Sequence, residues 1–334
     1  MEIRPPYLIY LGDAKDRLAA KTGQGIVDWR SDWAIGQLRL PGCNADLGIP
    51  DMTVEAAVAA GAKTFVIGTV SSGGVLPVEW TDVIVTAIEQ GMDVASGLHT
   101  RLESVAEIAA AADECGRRLF NVRHPDQNFA TGNGEKRSGK RLLTVGTDCS
   151  IGKKYTALCI ERELRARGVD AEFRATGQTG IFIAGRGVSI DAVVADFISG
   201  AAEWLTPAAE DDHWDIVEGQ GSLFHPAFAG VTLGLLHGTQ PDAFVVCHET
   251  TRTRMRNIDT SMPTVEQVID LTVQTGRMTN PQIRCVGVAV NTENLPERQA
   301  RDVIDVLQDQ LSLPVTDPMR FGASPIIDYL LAVA

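Results

Sequence analysis

Apolar runs alternate with helical patterns along the first third of the chain. Residues 7–11 form a continuous apolar run and predict a buried strand. Thr53 stands where a cap is needed for a helix over 54–60, which Gly61 ends, and 64–70 returns to β-branched and aromatic residues. Helical spacing over 82–89 and 102–115, with strands at 93–96 and 119–122, completes an alternation that predicts βαβ units and a mostly parallel sheet.

Residues 125–140 break the pattern. They are polar, rich in Gly and Asn, and without apolar periodicity, so they predict a linker between domains at 1–124 and 141–334. The alternation then resumes: strands at 142–146, 171–175, 215–218, 243–247, 285–290 and 313–316, and helices at 153–167, 265–274 and 297–310. Helical spacing over 190–205 carries Asp191, Asp196 and Glu203. The second half therefore reads as a complete α/β domain.

At 334 residues the chain is long enough for two separate cores. The net charge of −13 argues against nucleic acid or an anionic membrane as a general partner. No run has the length of a membrane span and the start lacks a signal-peptide core, which predicts a cytoplasmic protein. The 6 cysteines are scattered without a C-x-x-C pair, so a reduced interior and no metal are expected.

The most informative stretch follows the strand at 142–146: Gly146, Thr147, Asp148, Cys149, Ser150, Ile151, Gly152, Lys153, Lys154. A glycine-bounded loop between a buried strand and a helix can aim backbone N–H groups and a lysine at an anion, which is the layout of a phosphate cradle. Lys154 stands where a Ser or Thr hydroxyl normally helps hold Mg²⁺, which favours binding a phosphorylated cofactor over hydrolysing one. Within the cradle, a helix N-terminus would lower the pKa of Cys149. In the first half the loops at 71–74, 97–99 (with His99) and 123–125 (with His124) follow strands, where open α/β sheets bind ligands.

The run from Gly146 to Lys153 resembles the phosphate loop of dethiobiotin synthetase and related P-loop proteins, G-T-D-T-x-V-G-K-T, which shares the extra residue between the glycines. Asp215-Ile216-Val217-Glu218-Gly219 is similar to their V-E-G segment, which places an acid beside nucleotide and substrate. Nearly the whole chain resembles the DgcN-type D-glutamate N-acetyltransferases, on Thr176-Gly177-Gln178-Thr179-Gly180, residues 191–197 and Glu218-Gly219-Gln220-Gly221-Ser222-Leu223. The resemblance implies a Rossmann-like N-terminal domain followed by a P-loop NTPase-like α/β domain with a mostly parallel sheet. It also implies transfer of the acetyl group of acetyl-CoA to the amine of D-glutamate, an acceptor that no residue pattern names by itself. A Mg-ATP-dependent kinase or ligase and a non-catalytic nucleotide-binding regulator are the alternative readings.

Acetyl transfer needs a proton acceptor, and Glu218, His225 and His248 at strand ends are the candidates. Donors for the thioester oxygen are expected from the N–H groups of 219–222 and the side chains of Gln178 and Ser222, with Thr179 beside the substrate. Arg252, Arg254 and Arg256 alternate; an extended segment would aim all three at a carboxylate or phosphate, whereas a solvated loop would pair them with surface acids. Asn291 follows a strand where related P-loop proteins recognise adenine, with ordinary turn chemistry as the competing reading. An acidic amino acid is the expected small-molecule partner, and self-association is expected of a metabolic enzyme with two open sheets.

Overall fold

A computed structural model describes residues 2–17, 19–69, 75–125 and 127–333, so the loop at 71–74 lies outside the described residues. Its contacts divide the chain into two units: Met1–Asn128 with Gly177–Ala192, and Phe129–Thr176 with Val193–Ala334.

The first unit is built on a 5-stranded parallel sheet in the order β2-β1-β3-β4-β5. Its strands are β1 (Tyr7–Gly12), β2 (Ala34–Arg39), β3 (Thr64–Ile67), β4 (Asp93–Ser96) and β5 (Leu119–Asn121). β1, β3 and β4 are buried along their whole length, as befits parallel strands covered on both faces. Between them run α1 (Lys21–Trp29), α2 (Val54–Ala59), α3 (Thr81–Glu89) and α4 (Ala106–Cys115). Thr53 caps α2 by accepting the Ala56 N–H at 3.2 Å, as its position predicts. One core joins Tyr10, Phe65 and Trp80 to Ile84, Ile88 and Ile108 from α3 and α4.

The second unit has a 6-stranded parallel sheet in the order β11-β10-β9-β6-β8-β7. β6 (Lys140–Gly146) runs through its middle and leads into α5 (Lys153–Ala166). β7 (Ala171–Arg174) is an edge. Between it and the next helix of the second unit lies α6 (Gln178–Ala184), which packs with the first unit. There α6 meets α1, Phe182 lies over Gly97, and the Gly185 carbonyl accepts the Ile3 N–H at 2.8 Å. The remaining elements are α7 (Ile198–Leu205), β8 (Trp214–Val217), α8 (Ala229–Thr239), β9 (Ala243–Glu249), α9 (Val265–Gly276), β10 (Arg284–Asn291), α10 (Glu297–Leu311), β11 (Val315–Thr316) and α11 (Ser324–Val333).

The expected helix over 190–205 is instead two short 3-10 turns followed by α7, so Asp191, Asp196 and Glu203 share no single helix. Residues 129–138 carry no regular secondary structure but are held down: Glu203 accepts the N–H groups of Asn133 and Gly134, and Arg137 Nε donates to the Thr206 carbonyl at 2.7 Å.

Candidate active site

The cradle is set by its two flanks. Leu142, Leu143 and Val145 fix β6 in the core, and the chain then turns through Ser150 (φ 54°) and Gly152 (φ 112°) into α5. The Gly152 conformation is one that side chains rarely adopt. Thr147 N–H still extends the sheet by donating to Cys247 O at 3.1 Å. The consecutive N–H groups from Asp148 to Lys153 have no protein acceptor among the described residues, which is what a row of anion donors requires. Lys153 is buried with Nζ donating to the Asp148 carbonyl at 2.6 Å, and burial pushes its pKa down. The next position, Lys154, lies over the Tyr155 ring at 4.3 Å. The Cys149 thiol is pushed up, not down, because burial outweighs the nearby Lys153 charge.

Asp148 is fully buried and organises a second layer. Its Oδ2 accepts from Arg252 at 2.9 Å and from the Arg256 backbone N–H at 2.7 Å, while Oδ1 has no partner among the described residues. Arg252 also donates to the carbonyls of Cys149 (2.8 Å) and Ser150 (3.2 Å) and to Glu249 Oε2 (3.2 Å). The Arg256 guanidinium meets Ser150 Oγ. Arg254 instead pairs with Asp259 on the surface. The arginine segment is therefore a folded turn and not an extended strand: Met255 is buried at its centre and its N–H donates to Thr260 O, which turns Arg252 and Arg256 onto the loop and Arg254 away. Of the three alternating arginines, Arg252 and Arg256 are the ones brought to the loop.

Glu218 follows β8 and is buried; its Oε2 accepts the Thr176 N–H at 3.0 Å, and Thr176 Oγ1 donates to the Glu218 carbonyl at 2.5 Å. Gly219 crosses β6 so closely that a Cβ there would sit 1.6 Å from the Thr144 carbonyl oxygen. Its N–H donates to Thr144 Oγ1 at 2.9 Å, and Ser222 Oγ donates to Thr147 O at 3.2 Å, so two of the expected oxyanion donors make internal bonds.

The histidines divide. His225 Nδ1 accepts the Ala227 N–H at 3.2 Å, which leaves its Nε2 to donate to the Arg256 carbonyl at 3.0 Å; both nitrogens hold the arginine turn. His248 lies inside β9, opposite Val290, and not after the strand end. Its Nδ1 is 3.1 Å from Thr147 Oγ1, and Nε2 has no partner among the described residues. Burial lowers its pKa against a smaller opposing effect of Glu249, which keeps the imidazole neutral. It opens onto a groove of about 310 Å³ lined also by Thr250, Val303 and Leu307. Asn291 ends β10: its carbonyl accepts from Thr250, and its Oδ1 accepts the Glu293 N–H at 3.0 Å in a tight turn.

Gln178 and Thr179 begin α6 and belong to the first unit, where Thr179 Oγ1 is 3.4 Å from Thr22 Oγ1. In the same unit His124 Nε2 contacts the His99 carbonyl at 3.0 Å, and Arg123 faces Asp191 at 3.8 Å. Among the described residues no group of three or more His, Cys, Asp or Glu is placed to hold a metal ion, and no helix is long and apolar enough to cross a membrane.

Residues 128–327 match the P-loop domain of a family described as a domain of unknown function, DUF1611, and residues 38–125 match its Rossmann-like N-terminal domain. The chain is 51% identical over 332 residues to a D-glutamate N-acetyltransferase of Tritonibacter scottomollicae, covering 99% of this chain and 100% of that protein. It is 49% identical over 328 residues to one from a Pseudoalteromonas species, covering 98% of this chain and 99% of the other. A crystal structure of a DUF1611 family protein from Anabaena variabilis ATCC 29413 superposes with a TM-score of 0.84 at 30% identity, covering 98% of this chain and 100% of that one.

Proposed function

The chain belongs to the DUF1611 family in both of its domains, and from that membership we propose that it is a D-glutamate N-acetyltransferase that draws its acetyl group from acetyl-CoA. The observation that carries this reading is the near full-length kinship with two proteins of that name. The cradle suits the donor. Coenzyme A is rich in phosphate, and the backbone N–H row from Asp148 to Lys153 offers donors that no internal acceptor claims among the described residues, beside a Lys153 side chain held by the Asp148 carbonyl. Asn291, at the end of β10, is the proposed contact for the adenine of that cofactor.

In the reaction the amine of D-glutamate gives up a proton and its nitrogen bonds to the acetyl carbon. The carbon–sulfur bond then breaks and the departing sulfur takes up a proton, yielding N-acetyl-D-glutamate and free coenzyme A. His248 is the first choice for the proton acceptor: it is neutral, and its Nε2 is unclaimed among the described residues. Glu218, bonded to the Thr176 N–H, is the second, and His225 acts by positioning the arginine turn. Ser222 is proposed as a substrate contact, and Arg252 as a support of the loop that does not touch the acceptor.

The test is to incubate the purified protein with acetyl-CoA and either enantiomer of glutamate, following thiol release and product mass. Stoichiometric free thiol and N-acetyl-D-glutamate, with the D enantiomer preferred, is the expected result. Consumption of Mg-ATP without acetyl transfer would move the assignment to a kinase or ligase.

A further inference from the structure

A phosphate loop that works with a divalent cation holds it partly through the hydroxyl after the loop lysine, and the cation offsets the charge of the bound phosphates. Here that position is Lys154, so the usual ligand is missing. Positive charge nevertheless converges on the loop from a different element. The turn after β9 is pinned on both sides at Arg256: its N–H donates to buried Asp148 and its carbonyl accepts from His225. Arg252 fastens the same turn to the carbonyls of Cys149 and Ser150.

The two guanidiniums differ in how they are engaged. Arg252 is bound to Asp148, Glu249 and two loop carbonyls, which makes it a brace. Arg256 has a fixed backbone and an exposed side chain whose contact with the cradle is Ser150 Oγ, beside the N–H row. A neutral hydroxyl is a weak partner for a guanidinium, and a phosphate oxygen is a far better one, bound by two parallel N–H donors.

We propose that Arg256 is a phosphate-binding residue that takes the place of the divalent cation at this loop: its guanidinium leaves Ser150 for the phosphate oxygens of coenzyme A, and the cofactor binds without metal. This deepens the acetyl-CoA reading and rests on it. The side chains of Asp148 and His225 are positioning groups in the arrangement, since they fix the backbone of Arg256 and touch no ligand.

Calorimetry on the full-length protein tests it, with coenzyme A and inorganic pyrophosphate as probes, in EDTA and in excess Mg²⁺. The wild type should bind coenzyme A equally well in both buffers. Arg256→Ala should weaken coenzyme A and pyrophosphate alike, by about ten- to a hundredfold, and Arg256→Lys should recover part of the loss. Thermal unfolding of both variants should match the wild type, because the backbone bonds to Asp148 and His225 survive. Coenzyme A binding that collapses in EDTA and returns with Mg²⁺ overturns the proposal, as does unchanged affinity for both probes in Arg256→Ala. A wild type that binds pyrophosphate through Arg256 but not coenzyme A sinks the acetyl-CoA reading and leaves the arginine's role standing.

Discussion

His248, inside β9, and His225, in the loop after β8, show how the same residue type acquires different chemistry from its surroundings. His225 has both nitrogens in structural bonds, whereas His248 keeps Nε2 available and is held neutral by burial. A base fails when it protonates, and burial lowers the pKa of His248 from 6.5, so the acid limb of kcat/KM should fall below that of a free imidazole. His248→Gln should cost about a hundred- to ten-thousandfold in kcat and abolish that limb. A pH–rate profile unchanged in the variant would return the role to Glu218. Much at this scale was readable from sequence, because a phosphate loop is a local pattern: the glycines, Lys153 and the telling Lys154 are contiguous. Arg256 was harder to assign. Its placement depends on Met255 turning into the core and on bonds to Asp148 and His225, which lie 108 and 31 residues away.

The elements most legible in the sequence are the continuous apolar strands and the helices with clean caps, such as α2 behind Thr53. α1 and β2 were missed because their small residues answer to neighbours and not to propensity: Gly23 of α1 lies against Ile9 and the Gly68 carbonyl, and a Cβ at Gly36 of β2 would strike Met52. The sharpest case is Gly219, just past the end of β8, where the chain crosses β6. A methyl at 1.6 Å from a carbonyl oxygen has no rotamer to escape into, so the strands must part at the point that presents both the cradle and Glu218. Gly219→Ala should destabilise the protein by more than about 4 kcal/mol or prevent soluble accumulation. A melting temperature within a few degrees of the wild type would show that the strands can yield.

At the scale of the whole molecule, an acidic chain must still attract anions. It does so by gathering Lys153, Arg252 and Arg256 at one loop while its net charge stays at −13, so local field and overall charge have opposite signs. That the chain holds two α/β domains was legible in the alternation of strands and helices. The return of 177–192 to the first unit was not, because nothing in a helix of mixed small and apolar residues names the surface it will cover. Ile181, Phe182 and Ile183 are all buried there, worth several kcal/mol together at about 1.5–3 kcal/mol each. A fragment ending at residue 128 should therefore melt more than about 10 °C below the same fragment carrying 177–192 on a flexible linker. Equal melting temperatures would mean that α6 adds nothing to that core.

The same discontinuity bears on synthesis. Most N-terminal domains finish folding while the next one is still being made. In this protein the first unit cannot close until residue 192 has emerged, by which time β6, α5 and β7 of the second are already outside the ribosome. At about 5–20 residues per second the delay after residue 128 is roughly 3–13 s. Throughout that interval the docking surface for α6 is exposed on the nascent chain, which makes this a protein whose yield should respond to trigger-type chaperones and to the local speed of translation.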